Sequence, residues 1–252
     1  MKVLLANDDG IFAPGIIHLL ESFREISDFV YVTAPDRERS ATGHSITVHR
    51  PLRIRTAPGL GDKAKGWIVD GTPADCVKLA LESLIDEKPD LMIAGINDGP
   101  NLGSDVLYSG TVSAAMEGLI NGIPALSVSL ATWEEADYEY AAQFVRNLAP
   151  LLLQHPLPPG TLLNVNVPPG TVKGVRFTRL CTLCYTDAIH RRTDPRGREY
   201  FWMAGQPESP DVEDDGTDIG AVRQGYVSIT PLQIDLTNYQ MIEELKKWPI
   251  KV

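Results

Sequence analysis

Apolar residues over the first 170 positions fall into two alternating patterns. Short continuous runs such as Val3-Leu4-Leu5-Ala6 alternate with longer stretches in which apolar positions recur with helical spacing. The runs predict strands over Lys2–Ala6, Phe29–Thr33, Leu91–Ala94 and Ala125–Ser129. The periodic stretches predict helices over Gly15–Arg24, Pro73–Ile85, Val112–Asn121 and Glu135–Leu153. Strands that are apolar throughout, each followed by a helix, belong to a parallel sheet covered on both faces. The expected fold is therefore α/β, with a doubly wound, mostly parallel, Rossmann-like sheet.

The pattern breaks twice. Between Thr47 and Val69 short extended pieces such as Leu52-Arg53-Ile54-Arg55 predict a small antiparallel element. The next segment, Gly71-Thr72-Pro73-Ala74-Asp75, has the composition of a helix start, with Thr72 at the N-cap, Pro73 at N1 and Asp75 at N3. That placement gives Asp75 a structural reason to be there. After a further strand at Leu162–Pro168 the chain turns β-rich: a hairpin over about Val175–Ala204 with the charged segment Arg191–Arg198 near its tip, an acidic loop at Gln206–Asp218, a strand at Tyr226–Thr230, and a short helix at Tyr239–Lys247 with a polar face. Residues 1–170 read as the α/β core. Residues 171–252 read as a β-rich hairpin, loop and tail of the same structural unit, suited to exchange between subunits.

Composition narrows the class. A hydrophobic fraction of 43% and a charged fraction of 22% are those of a soluble globular protein. The net charge of −10, without a long basic run, argues against a nucleic-acid polymer as partner. No apolar stretch approaches the roughly 18–20 residues that span a bilayer, so no membrane partner is expected. Met1-Lys2-Val3 opens directly into the first strand without the parts of a signal peptide, and the expected location is the cytoplasm. Three cysteines make no disulfide framework. Cys181 and Cys184 have C-x-x-C spacing, but Cys76 is the only other cysteine and the pair falls in a β-like segment, so they read as ordinary strand cysteines.

Candidate chemistry lies at strand ends. Asn7-Asp8-Asp9-Gly10 follows the first strand, at the carboxyl edge where open α/β sheets bind their ligands. Two adjacent acids repel unless something positive lies between them, and a hard divalent cation is the simplest candidate; a solvated turn is the other reading. Three more polar segments belong on that edge: Pro35–His44, Gly95–Gly103 and Tyr108–Thr111. Asp8, Asp9, Ser40 and Asn97 offer oxygen ligands, two of them anionic, a set that suits Mg²⁺ or Mn²⁺ better than Zn²⁺. Ser109, Gly110 and Thr111 at a helix N-terminus would cradle a phosphate. Each also has a plainer reading. Ser40 suits the end of a charged loop, Asn97 a left-handed turn, Thr111 an N-cap, and His44, Arg37 and Arg39 suit solvent or local hydrogen bonds. Metal beside phosphate cradle points to phosphoryl hydrolysis.

Together these segments resemble the SurE family of stationary-phase survival proteins. The matching text is Asn7–Gly10, Ala34–His44, Gly71–Cys76, Gly95-Ile96-Asn97, Asn101-Leu102-Gly103, Tyr108–Val112, Leu163–Pro168, Thr217-Asp218 and Gly225–Leu232. The resemblance implies a divalent-metal-dependent 5'-nucleotidase, a phosphomonoester hydrolase of acid type, releasing phosphate from nucleoside monophosphates and acting also on other phosphomonoesters or polyphosphate. It implies one Mg²⁺ or Mn²⁺ per subunit, held by Asp8, Asp9, Ser40 and Asn97, and a homodimer or homotetramer. Asp8, Asp9 and Asn97 are the expected catalytic residues, and Ser109, Gly110, Thr111 and Asn101 the expected phosphate-binding ones. Asp98 departs from the looser family pattern at that position. Attack by water on a polarised phosphoryl group competes with a covalent aspartyl-phosphate route. The second acid of a haloacid-dehalogenase pair would fall at Gly10, which counts against the covalent scheme. A binding module that holds metal and nucleotide without turnover is the non-enzymatic alternative. A dinucleotide-binding oxidoreductase is disfavoured because no Gly-x-Gly-x-x-Gly follows the first strand.

Overall fold

The computed structural model describes residues 1–132, 137–186 and 188–250. Its elements in chain order are β1 (Lys2–Ala6), α1 (Pro14–Arg24), β2 (Phe29–Pro35), β3 (Ile54–Thr56), β4 (Ala64–Val69), α2 (Pro73–Leu79), β5 (Leu91–Asp98), α3 (Gly110–Ile120), β6 (Ala125–Leu130), α4 (Tyr138–Gln154) and β7 (Thr161–Val167). There follow β8 (Val175–Phe177), β9 (Cys184–Thr186), β10 (Ile189–Thr193), β11 (Glu199–Met203), β12 (Gln206–Glu208), α5 (Asp218–Arg223), β13 (Val227–Gln233) and α6 (Tyr239–Leu245). Nine strands form one sheet in the order β3-β4-β2-β1-β5-β6-β7-β13-β8. The six from β4 to β7 run parallel; β3 and β13 are antiparallel to their neighbours β4 and β7.

The continuous apolar strands divide between two cores, because successive side chains on a strand point to opposite faces. Val3 and Leu5 of β1 pack with Ile16, Leu19 and Phe23 of α1 and with Val145 and Ala149 of α4. Leu4 and Ala6 pack on the other face with Val77 of α2 and Val112, Ala114 and Ala115 of α3. α1 pairs with α4, and α2 with α3, so each face of the sheet carries a helix pair. Chain direction reverses its progress across the sheet between β1 and β5. The loop after β1 therefore lies beside those of β2 and β5, at the switch point of the sheet.

Most local signals resolve as the sequence predicts, with three adjustments. Thr72 forms a full capping box with Asp75, and Asp75 also accepts from both the backbone and the hydroxyl of Thr47. The helix expected over Pro73–Ile85 is α-helical only to Leu79; Ala80–Leu84 widen into a π turn closed by Ile85 N–H to Ala80 O at 3.0 Å. α3 begins earlier than expected, with Ser109 and not Thr111 as its cap: the Ser109 hydroxyl accepts from Val112 N at 3.0 Å. The start expected for α4 at Glu135 lies outside the described residues. The segment expected to form one hairpin from Val175 does not: β8 joins the main sheet beside β13, while β9–β12 and β10–β11 form two short antiparallel ladders. Asp194 turns the outer ladder by accepting from the N–H groups of Arg196 and Arg198, which leaves all ten residues of β10 and β11 exposed. Residues 235–250, including α6, are exposed as well. Among the described residues no helix is long and apolar enough to cross a membrane.

Two glycines decide how closely the elements approach. Gly10, at φ +109°, closes the turn after β1, where a side chain would be strained. Gly15 in the first turn of α1 lies against the backbone of Ile96, and a Cβ there would run into the Ile96 carbonyl oxygen. Gly15→Ala should therefore destabilise the protein despite the better helix propensity of alanine, by about 1–3 kcal/mol from overpacking. A urea unfolding midpoint equal to that of wild type would show that α1 can shift without cost.

Candidate active site

The site starts from the turn after β1. Asn7 is buried and staples it: its amide donates to Gly10 O at 2.9 Å and its carbonyl oxygen accepts from Gly10 N at 3.1 Å. This bracket presents Asp8 and Asp9 at the carboxyl end of the strand. Asp8 is buried and accepts a hydrogen bond from the Thr111 hydroxyl at the start of α3. Burial pushes its carboxyl above the ordinary range, opposed by the bonds from Thr111. Gly110 makes this approach possible, since a Cβ there would lie 2.8 Å from Asp8 Cβ. Asp9 is pushed up to about 7, first by burial and then by the charges of Asp8, Glu38 and Asp98. Among the described residues neither Asp8 nor Asp9 is ion-paired.

Two loops close on this pair. The segment after β2 is joined to β1 by Arg39 N–H to Asp8 O at 2.8 Å, one residue before Ser40. Further on, Gly43 N–H donates to Tyr108 O at 2.8 Å, and His44 Nε2 lies 2.9 Å from Glu117 Oε2 on α3. The His44 hydrogen bond holds the Glu117 carboxyl below its ordinary value against the cost of its burial, with Lys78 adding to the effect. Arg39 pairs with Asp36 at 3.1 Å, and the Ser40 hydroxyl donates to Glu38 at 2.7 Å. From the other side β5 carries Asn97 past a break in its register with β6. The Asn97 amide nitrogen donates to Gly99 O at 2.8 Å, which turns its Oδ1 toward Thr111 Oγ1, 3.3 Å away. Asp8, Asn97 and Thr111 thus meet directly, and the Asp98 backbone N–H reaches the Asp9 carboxylate.

The expected phosphate cradle is arranged differently from its sequence reading. The hydroxyls of Ser109 and Thr111 are committed, one to the α3 cap and the other to Asp8, so the anion nearest the helix start is Asp8 itself. Asn101 is buried in a polar network. Its N–H donates to Asn166 Oδ1 at 2.9 Å, its amide to Ser129 Oγ at 2.8 Å, and its carbonyl accepts from Asn164 and Asn166. Ser127 donates to Asn164 at 2.8 Å, completing the set. The strand text Leu163-Asn164-Val165-Asn166 carries the signal: polar residues at alternate positions face Ser127 and Ser129 across the β6–β7 ladder. Asp218, buried at the start of α5, accepts from the N–H groups of Gly103, Cys181 and Ile219 and so fixes the far end of the same loop. Burial and the neighbouring Asp218 push the Cys181 thiol up to about 12, far from a reactive thiolate. Sequence reading also did not place Tyr138 here. It stacks on His18 with ring centroids 5.7 Å apart, and burial, then Asp98 and Asp9, push its hydroxyl up to about 12.

The donor set fits a hard divalent cation. Two carboxylates, an amide oxygen and a hydroxyl are all oxygen donors, and the unpaired acids carry charge that the described side chains do not balance. Among the described residues no three or more His, Cys, Asp or Glu side chains cluster to hold a metal ion, so the candidate set rests on two carboxylates completed by an amide oxygen and a hydroxyl.

Comparison with known proteins agrees along the whole chain. The family model described as Survival protein SurE matches residues 3–187. A protein named 5'-nucleotidase SurE from Desulforudis audaxviator (strain MP104C) is 62% identical over 252 residues, covering 99% of this chain and 98% of its own. One of the same name from Desulforamulus reducens is 54% identical over 249 residues, covering 98% of each. The crystal structure of the SurE protein from Aquifex aeolicus superposes with a TM-score of 0.84 at 42% identity over 98% of each chain. The family model spans most of the chain and these proteins match it nearly end to end in sequence and fold: the chain belongs to the SurE family.

Proposed function

We infer that this chain is a metal-dependent 5'-nucleotidase, a hydrolase that releases inorganic phosphate from nucleoside monophosphates and accepts related phosphomonoesters or polyphosphate. The observation that carries the reading is the Asp8–Asp9 pair, Asp8 buried and Asp9 half-buried, without a counter-cation among the described residues at the switch point of the sheet, in a chain whose relatives bear that name. Asp8, Asp9, Ser40 and Asn97 are the proposed ligands of one Mg²⁺ or Mn²⁺ per subunit. Such a cation supplies Lewis-acid stabilisation of charge on the phosphoryl oxygens.

The chain's own residues do the rest. Thr111 fixes the Asp8 carboxylate through its hydroxyl, and Gly99 fixes the Asn97 amide, so two of the four donors are oriented before any ligand arrives. Asp9 is the more accessible acid and the proposed proton acceptor for an attacking water. Tyr138, stacked on His18 and near Asp98 and Asp9, would meet the nucleoside side of the substrate. A homodimer or homotetramer is supported by the apolar side chains that β10, β11 and the tail leave exposed, among them Trp202, Met203, Trp248 and Ile250.

Phosphate release from a panel of nucleoside monophosphates tests the reading. EDTA should abolish turnover and Mg²⁺ or Mn²⁺ restore it, while Asp8→Ala should lower kcat/KM roughly a thousandfold with folding intact. No turnover by folded, metal-supplied protein would leave the binding-module reading in its place. Asp9→Asn separates charge from fold. In EDTA it should melt at or above the wild-type temperature, because the repulsion between two adjacent acids is relieved. Added Mn²⁺ should raise the melting temperature of wild type but not of this variant. An equal rise in both would remove Asp9 from the ligand set.

A further inference from the structure

Within the loop after β2, the acidic residues have different partners. Asp36 is paired with Arg39 at 3.1 Å, whereas Glu38 has no ion-pair partner among the described residues and takes the Ser40 hydroxyl at 2.7 Å. A serine hydroxyl has one proton and two lone pairs, and an ionised carboxylate can only accept. The hydrogen bond therefore fixes where the proton is: on the Glu38 side. That leaves the oxygen's lone pairs for another partner, and a hydrogen bond to an anion makes the oxygen a stronger donor to a cation. Glu38 and Ser40 are both exposed, and the Glu38 charge is near enough to act on both Asp8 and Asp9.

We propose that Glu38 is a positioning residue for the divalent-cation site, acting through Ser40: it accepts the Ser40 hydrogen bond, orients the hydroxyl as a ligand and thereby tightens cation binding. The inference rests on the metal reading given above and adds to it a residue that is not itself a ligand. A neutral hydroxyl is otherwise a weak ligand that competes poorly with water, and an anionic partner for its proton is what makes it worth including beside two carboxylates.

The test is Mn²⁺ binding without substrate, followed by the electron paramagnetic resonance signal of the free ion, for wild type, Glu38→Ala, Glu38→Gln, Ser40→Ala and the Glu38→Ala/Ser40→Ala double variant. Glu38→Ala should raise the Mn²⁺ dissociation constant about 10- to 100-fold, close to the effect of Ser40→Ala. Glu38→Gln, which keeps an oxygen acceptor, should recover most of the loss. The double variant should bind little more weakly than Ser40→Ala alone, the mark of two residues acting as one unit. Wild-type affinity in Glu38→Ala overturns the inference, and so does a Glu38→Ala loss that is undiminished in the Ser40→Ala background, because Glu38 would then act on the cation independently. Equal loss in Glu38→Ala and Glu38→Gln, with melting temperatures in EDTA lowered alike, would assign Glu38 to loop folding and also overturn it. Asp9→Asn identifies the other failure: if it binds Mn²⁺ as wild type does, or if wild type binds none, the metal reading itself falls and this inference with it.

Discussion

The placement of two adjacent carboxylates at the end of β1, one buried and the other half-buried, is the constraint on which the rest of the site depends. Like charges at neighbouring positions repel by an amount on the order of a few kcal/mol at an effective dielectric near 20, and removing them from water makes ionisation harder still. The fold meets part of that cost directly. The Thr111 hydroxyl is turned onto Asp8, and the N-terminus of α3, where the helix dipole favours an anion, is brought against it. This approach requires glycine at position 110 and pins α3 at its first turn. Glu117, farther along the same helix, then holds His44, so the Ser40 loop is tied to β1 at Arg39 and to α3 at His44. Placement of the acids, the helix and the loop is one problem with one solution.

The other side of the site is fixed by polar groups inside the protein. Ser127, Ser129, Asn164 and Asn166 of the sheet and Asn101 of the loop after β5 are buried, and a buried amide left unpaired there costs roughly 1–3 kcal/mol. They are tolerated because they satisfy one another and the backbone of the Asn101 loop. Asp218 does the same for Gly103 from the C-terminal part of the chain. Residues after 170 therefore do more than extend outward: β13 and β8 continue the sheet, and α5 supplies a clamp on the loop that follows Asn97. The hairpin ladders and tail, by contrast, add apolar surface that this chain alone does not cover.

Much of this was legible in the sequence. β1 has the predicted bounds, because an apolar strand followed by Asn-Asp-Asp-Gly has few alternatives, and the Thr72 capping box was readable from residue types alone. The convergence of Asp8, the Ser40 loop and Asn97 followed from strand order. What was not legible depended on geometry across the chain. Ser109 and Thr111 are both good N-cap residues, and only the position of Asp8 decides that Ser109 caps while Thr111 turns inward. The hold of Asn164 and Asn166 on the Asn101 backbone depends on their facing it from β7, which residue types alone do not show. β8 is three residues long, and nothing in Val175-Arg176-Phe177 by itself says that it pairs with β13 and not within a hairpin.

Charge around the site explains why a cation is central to the proposed chemistry. A chain of net charge −10 gathers Asp8, Asp9, Glu38 and Asp98 around one opening, and the arginine of the adjoining loop at position 39 is engaged by Asp36. A phosphate monoester bringing up to two more negative charges would be repelled from such a place. With a divalent ion held among the acids the same residues become an advantage: they fix its position, and the ion presents the substrate with a local field of opposite sign. The number of acids then has two opposing effects, since each additional one tightens the hold on the cation and weakens its pull on the phosphate. Placing Glu38 behind Ser40 separates the two. Its hydrogen bond strengthens a neutral ligand, while its charge stays one residue farther from the phosphate than a directly ligating carboxylate would be.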